Sequence, residues 1–190
     1  FHDKINPAAI TRRVSKPFLG TRVAVHYGCH LLRPSGTLRF DDPMEPTKFE
    51  NLVKALGAEP VDYRTKLLCC GGLLSDTGME RSGLDLARRK LAELKGLGVD
   101  ALVLMCPACF IQYDSRQMLL KAEGENLDVP VIFYTELLGL ALGMKPEELG
   151  LNRHAVKPKR FLEKWERNLE NLEEIKKHFD LQYLMQCAQC

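Results

Sequence analysis

The sequence has no long uncharged apolar run and no marked excess of either charge. A membrane-crossing helix needs about eighteen or more apolar residues. The most apolar stretch, Leu127 to Met144, is interrupted by Asp128, Pro130 and Glu136, so no membrane span is expected. Lysine and arginine number 27 against 25 aspartates and glutamates, a net charge of +2. The isoelectric point near 8.2 falls short of the basic stripe and pI above about 9 typical of a dedicated nucleic-acid binder. A 45% hydrophobic and 27% charged chain of 190 residues is ordinary for a globular protein and excludes general disorder. At this length roughly 70% of the unfolded surface is buried, so the chain is not a small scaffold held only by disulfides.

Against these absences stand seven cysteines, at positions 29, 69, 70, 106, 109, 187 and 190. Six of them fall in three tight pairs. An odd total does not read as a secreted disulfide framework, whereas paired cysteines inside cells more often bind metal or do redox work. A cytoplasmic location is therefore expected. The chain opens on Phe1 and stops on Cys190, the second cysteine of a C-x-x-C. We expect an internal piece of a longer polypeptide.

Periodicity places the cysteines on a framework. Residues 1–20 read as an incoming linker or partial helix, with Pro7, Pro17 and Gly20. Arg22–Tyr27 reads as a buried strand, and the proline-rich stretch Leu31–Pro46 as a long loop. Thr47 is positioned to cap a helix to Leu56, with Phe49, Leu52, Val53 and Leu56 on one face and Gly57 as its stop. Extended pieces are expected at Pro60–Tyr63 and Lys66–Leu68. A long helix spans about Met79 to Leu97, with Leu84, Leu91 and Leu94 inward. Val99–Met105 reads as a central strand. A helix follows Cys109 to about Lys121, then a strand at Val129–Tyr134 and a helix to Leu142. Lys159 to Phe179 is an amphipathic helix, with Leu162, Trp165, Leu169, Leu172, Ile175 and Phe179 at spacings of three and four. Strands alternating with helices predict an α/β fold: a mainly parallel, Rossmann-like sheet flanked by helices. The expected division is 1–20, a cysteine-rich domain at 21–156, and 157–190.

Each of three cysteine groups follows a predicted strand: Cys29, the neighbours Cys69 and Cys70, and Cys106 with Cys109. Strand carboxyl ends share one edge of a parallel sheet, where ligands bind, so residues spread over eighty positions can converge. Five thiolates meeting without a cation would repel one another, and a coordinating thiol is deprotonated outright. Zinc takes four ligands and a cubane iron–sulfur cluster also takes four cysteines; five is one too many for either. Sequence-adjacent Cys69 and Cys70 suit a polynuclear cluster better than a single ion. Gly71 and Gly72 allow close backbone approach. Pro107 opens a helix whose N-terminus favours anionic sulfur.

The pattern C-x39-CC-G-x34-C-P-x-C from Cys29 to Cys109 resembles the cysteine-rich CCG domain. The text around it resembles the B subunit of heterodisulfide reductase, the CoB–CoM enzyme: VAVHYGCHLLRP at Val23–Pro34, FDDP at Phe40–Pro43, LLCCGG at Leu67–Gly72 and LMCPAC at Leu104–Cys109. The resemblance covers about Val23 to Met144. It implies that Cys29, Cys69, Cys70, Cys106 and Cys109 bind a noncubane [4Fe-4S] cluster through which a small-molecule disulfide of the CoM-S-S-CoB type is reduced. It further implies a tandem arrangement of two such domains, of which this chain carries one, and hence half an active site that is inactive alone. The implied partners are the reductase's ferredoxin-like and flavin-containing subunits. His26, Tyr27 and His30, flanking Cys29, are candidate outer donors, and Arg33 a candidate for a substrate anion. Cys187 and Cys190 resemble the opening of a ferredoxin-type run and would hold a second [4Fe-4S] cluster only in a chain continuing past Cys190. Related CCG subunits serve glycolate or lactate oxidation and thiol-driven fumarate reduction. From other classes, a thioredoxin-like dithiol protein using Cys106 and Cys109, or a structural zinc module, remain alternatives.

Overall fold

Three short aliphatic runs form the centre of the molecule. The computed structural model describes residues 2–177, Asp180 and Met185. Two short helices, α1 (His2–Ile5) and α2 (Pro7–Thr11), precede strand β1 (Arg22–His26). Then come α3 (Cys29–Leu32), α4 (Ser35–Leu38), α5 (Lys48–Lys54), β2 (Glu59–Pro60), α6 (Gly72–Asp76) and α7 (Glu80–Gly96). Strand β3 (Ala101–Leu104) leads into α8 (Pro107–Phe110), a π-helical turn at Ile111–Ser115, and α9 (Gln117–Ala122). The chain continues through β4 (Val131–Phe133), α10 (Tyr134–Ala141) and α11 (Lys159–Lys176). Among the described residues, no helix is long and apolar enough to cross a membrane.

The strands form one parallel sheet in the order β2-β1-β3-β4, the α/β arrangement expected from the alternating pattern. Its centre is the β1–β3 pair, with Val23 opposite Ala101 and His26 opposite Leu104. From β1 the chain moves outward to β2; from β3 it moves outward the other way, to β4. The order therefore reverses between β1 and β3. The crevice beyond the strand ends at such a switch point is where open α/β sheets take ligands.

Strand alternation divides the core in two. Val23, Val25, Ala101, Val103 and Ile132 pack on one face, against Phe18, Phe49, Leu52, Leu137, Leu140, Phe161 and Trp165. Ala24, Leu102, Leu104 and Val131 face the other side, against Leu84, Leu91 and Leu94 of α7 and Tyr113. Phe18 stacks on Phe161 and Trp165, with ring centres 5.6 and 5.1 Å apart. The segment before β1 and the late helix α11 thus share one core.

Three local expectations are corrected. Lys66–Leu68 is a turn, because the carbonyls of Thr65 and Lys66 bond to Lys90 of α7 instead of a neighbouring strand. The stretch from Leu31 to Pro46 is not a continuous loop, since α3 runs into it as far as Leu32 and α4 forms a single turn within it. Thr47 makes no side-chain cap on α5; Asp41 of the FDDP motif caps it instead, its carboxylate accepting from the amides of Thr47 and Lys48 at 2.8 and 2.6 Å. Phe179, assigned to the final helix, lies outside the described residues, as do Cys187 and Cys190.

His154 joins β4 to α10. Its Nδ1–H donates to the Val131 carbonyl at 2.9 Å and Nε2 meets the Glu136 carboxylate at 3.0 Å. Burial works against the imidazolium, but Glu136, with Asp114 behind it, outweighs burial and raises the pKa above its usual 6.5. A raised folded-state pKa stabilises fully below the unfolded value and loses its effect as pH rises through the folded one. Urea unfolding should show the wild type more stable than Glu136→Gln near pH 6, with the difference shrinking as pH climbs above 6.5 through the raised value.

Candidate metal centre

Two cysteine groups stand just beyond the two central strands. His26 ends β1, and after Gly28 the chain turns so that Cys29 opens α3. Leu104, opposite His26 in the register, ends β3, and Cys106 precedes α8 with Pro107 as its first residue. Proline suits that position because it has no amide hydrogen to leave unpaired. The third group, Cys69 and Cys70, arrives on the 64–72 turn and is followed directly by α6.

Close backbone approaches bring the three together. Gly28 has φ +73°, and a Cβ there would stand 3.4 Å from the Cys106 Cβ and 3.7 Å from the Cys109 Sγ. A Cβ on Gly72 would stand 3.4 Å from the Cys70 Sγ and 3.7 Å from the Ala108 carbonyl. The Cys109 thiol donates to the Cys70 Sγ at 3.4 Å. Cys29 interacts with Cys69, and Cys106 with Cys109. All five are free thiols: Cys70 and Cys109 buried, Cys29 and Cys106 half-buried, Cys69 exposed. Among the described residues, no three His, Cys, Asp or Glu side chains are grouped so as to hold a single metal ion.

The site is polarised. Cys70 accepts from Cys109 and from the Gly72 amide at 3.3 Å. The Cys109 hydrogen bond, with contributions from His26 and the Gly72 amide, outweighs burial and lowers the Cys70 pKa to about 4. Donating to that thiolate, together with burial, drives the Cys109 pKa upward. Burial and the neighbouring Cys69 push Cys29 up to about 11, against the pull of Arg33. Cys70 is thus favoured as the thiolate, while Cys109 and Cys29 are pushed towards their protonated forms.

Around Cys70 lie buried polar groups without well-formed hydrogen bonds. His26 is 2% exposed, and its ring nitrogens make no well-formed hydrogen bond, although they interact with the Cys70 sulfur and the backbone at Lys66. Cys70 influences its ionisation, and burial lowers the His26 pKa. The Tyr113 ring sits edge-on to His26 at 5.1 Å, and its hydroxyl is buried and unpartnered. Such groups are unfavourable unless something accepts their hydrogens. A glycine-lined cradle, five sulfur donors and unused hydrogen-bonding groups fit an inorganic sulfur-containing group.

The other outer candidates are placed differently. Tyr27 belongs to the opposite core face, where its hydroxyl bonds to the Glu50 carboxylate and accepts from the Phe49 amide at 2.9 Å. His30 is exposed on α3, and Arg33 is exposed just after it. Tyr27, Cys29, Arg33 and Lys66 line a cavity of about 10 Å³, room for about one water. Tyr113 and Lys90 were not singled out from sequence. The only available signals were their positions: Tyr113 four residues after Cys109 on the same helical run, and Lys90 at an inward position of α7 beside Leu91 and Leu94.

Comparison with known proteins names the class. Residues 23–114 match the model of the CCG cysteine-rich domain, and this chain carries a domain of that family. Over 165 residues, 86% of the chain and 55% of the relative, it is 38% identical to the B subunit of the ferredoxin/F(420)H(2)-dependent CoB-CoM heterodisulfide reductase of Methanosarcina acetivorans. It is 36% identical over 152 residues, 80% of the chain and 53% of the relative, to the 8-methylmenaquinol:fumarate reductase membrane anchor subunit of Wolinella succinogenes. The chain spans about half the length of these relatives. A crystal structure of a hypothetical protein from Helicobacter pylori shares the fold, with TM-score 0.58 and 19% identity over 76% of this chain and 26% of that one.

Gly71 tests the cradle. Its φ is +81°, and a Cβ would lie 2.6 Å from the Gly83 carbonyl. Gly71→Ala should destabilise by more than about 1 kcal/mol in urea unfolding, whereas Gly36→Ala, with open space around it, should change little.

Proposed function

We propose that this chain is the CCG-domain part of an iron–sulfur oxidoreductase subunit of the heterodisulfide reductase type, with Cys29, Cys69, Cys70, Cys106 and Cys109 holding a noncubane [4Fe-4S] cluster. The observation that carries this reading is the approach of the three cysteine groups at the sheet's switch point, with Cys109 bonded to Cys70, Cys29 interacting with Cys69 and Cys106 with Cys109. When bound, the cluster supplies single electrons and a Lewis-acidic surface for sulfur. The reaction is the reduction of a small-molecule disulfide by two electrons and two protons to two thiols.

This chain's own residues have separate tasks. The strand ends and glycine turns fix the donors. His26 and Tyr113 offer hydrogen bonds to anionic sulfur from below. The N-terminal turn of α8 adds positive potential next to Cys106 and Cys109. Cys69 is exposed and the neighbouring Leu73 is 75% exposed, which suits a face that a second CCG domain covers. A ferredoxin-like subunit, a flavin-containing subunit and a cytoplasmic setting belong to the same proposal. Cys187 and Cys190 would join a separate ferredoxin-type cluster in a longer chain.

The 36% identity to a fumarate reductase subunit favours a second reading, in which the same centre passes electrons to or from a partner without cleaving a disulfide. The assembled complex, with both CCG domains present and assayed without oxygen, separates the two. With reduced viologen dye as donor, a mixed thiol disulfide should yield two thiols per dye pair oxidised, and Cys70→Ser should lose at least a hundredfold in rate. A Cys70→Ser rate equal to wild type would contradict the proposal. No thiol release, with normal viologen oxidation by fumarate in the assembled complex, would favour the second reading.

A further inference from the structure

Helix α7 carries Gly83, Lys90 and Glu93 on one side, within an arc of about 80° at 100° per residue, and all three engage the segment bearing Cys69 and Cys70. The Glu93 carboxylate accepts from the amides of Arg64 and Thr65 at 2.7 and 2.9 Å. Lys90 donates to the carbonyls of Thr65 and Lys66, the latter at 2.9 Å. Its ammonium also lies 5.0 Å from the Tyr63 ring centre. Gly83 meets Gly71 backbone to backbone, so tightly that neither position has room for a side chain.

Lys90 stands out among these because it is fully buried. Lysine is almost never buried without a charged partner, yet among the described residues no carboxylate lies within ion-pair distance of it. Glu93 spends its oxygens on backbone amides. Burial lowers the Lys90 pKa to about 7, while Glu93 and the thiols of Cys109, Cys70 and Cys29 act in the opposite direction. The buried Lys90 amine is therefore within electrostatic reach of the thiols of Cys109, Cys70 and Cys29.

We propose that Lys90 is a positioning residue: it fixes the segment that carries Cys69 and Cys70 and places a buried positive charge against the sulfur site. The first half stands on the hydrogen bonds alone; the second rests on the cluster reading given above. On this account α7 replaces the strand that the sequence pattern suggested before Cys69. The pair is held by a lysine and a glutamate gripping successive peptide groups, and by a glycine contact that sets its depth.

The test uses Lys90→Met in the full chain, with two readouts. In metal-free protein, hydrogen exchange of the amides at 64–72 should accelerate at least tenfold, with 101–110 unchanged. Unchanged exchange at 64–72, or equal acceleration throughout the sheet, would overturn the positioning role. In iron-reconstituted protein the midpoint potential should shift downward, and Lys90→Arg should restore it; an unshifted potential would overturn the role of the charge. Should Lys90→Met fail to fold, Glu93→Ala, which frees the Arg64 and Thr65 amides at a half-buried position, should give the same local acceleration, and its absence would overturn the clamp. If the wild-type chain takes up no iron, the cluster reading falls, and the exchange result still decides whether Lys90 positions the pair.

Discussion

Mutual repulsion among sulfur groups crowded at one edge of a sheet is the constraint around which this protein is arranged. Thiols at hydrogen-bond distance cannot all ionise in a partly buried site unless positive charge is brought to them. The fold answers with groups from several directions: backbone amides at Gly71 and Gly72, a helix start after Cys106, Arg33 near Cys29, and Lys90 beneath. Cys109 donates to Cys70, so one proton is shared between two of the thiols. On the proposed reading, metal replaces the thiol protons.

The sheet explains why residues so far apart in sequence meet. Parallel pairing of β1 and β3 aligns His26 with Leu104, and each strand needs only two or three further residues to deliver a cysteine. Side-chain alternation then sends His26 towards α7, Tyr113 and Cys70, while Tyr27 belongs to the opposite core. Neighbouring residues in the same motif therefore serve different ends: one faces the sulfur site, the other anchors α5 through the Phe49 amide and Glu50.

Much of this was legible in the sequence because it depends on local pattern. The apolar runs at Val23–Val25 and Ala101–Leu104 gave the central strands, and the spacing of Leu84, Leu91 and Leu94 gave α7. The five cysteines and their glycines pointed to one site. What escaped depends on tertiary partners. Lys66–Leu68 reads as a strand, but the amides of Lys66 and Leu68 turn back onto Tyr63 and Thr65, and Lys90 takes the carbonyls of Thr65 and Lys66. Asp41 displaced Thr47 as the cap of α5 because its carboxylate reaches two amides from a preceding turn. Lys90 resembled any polar residue on an amphipathic helix apart from its place beside Leu91 and Leu94, and Tyr113 is marked only by lying four residues after Cys109.

The account's central claim is that the five converging thiols hold an iron–sulfur cluster. The most direct test is the iron, zinc and acid-labile sulfide content per chain of protein prepared without oxygen, read together with its EPR spectrum. The account predicts about four irons and four sulfides per CCG domain, lost together in Cys70→Ala. One zinc without sulfide, or a chain that stays free of metal after reconstitution with iron and sulfide, would contradict it.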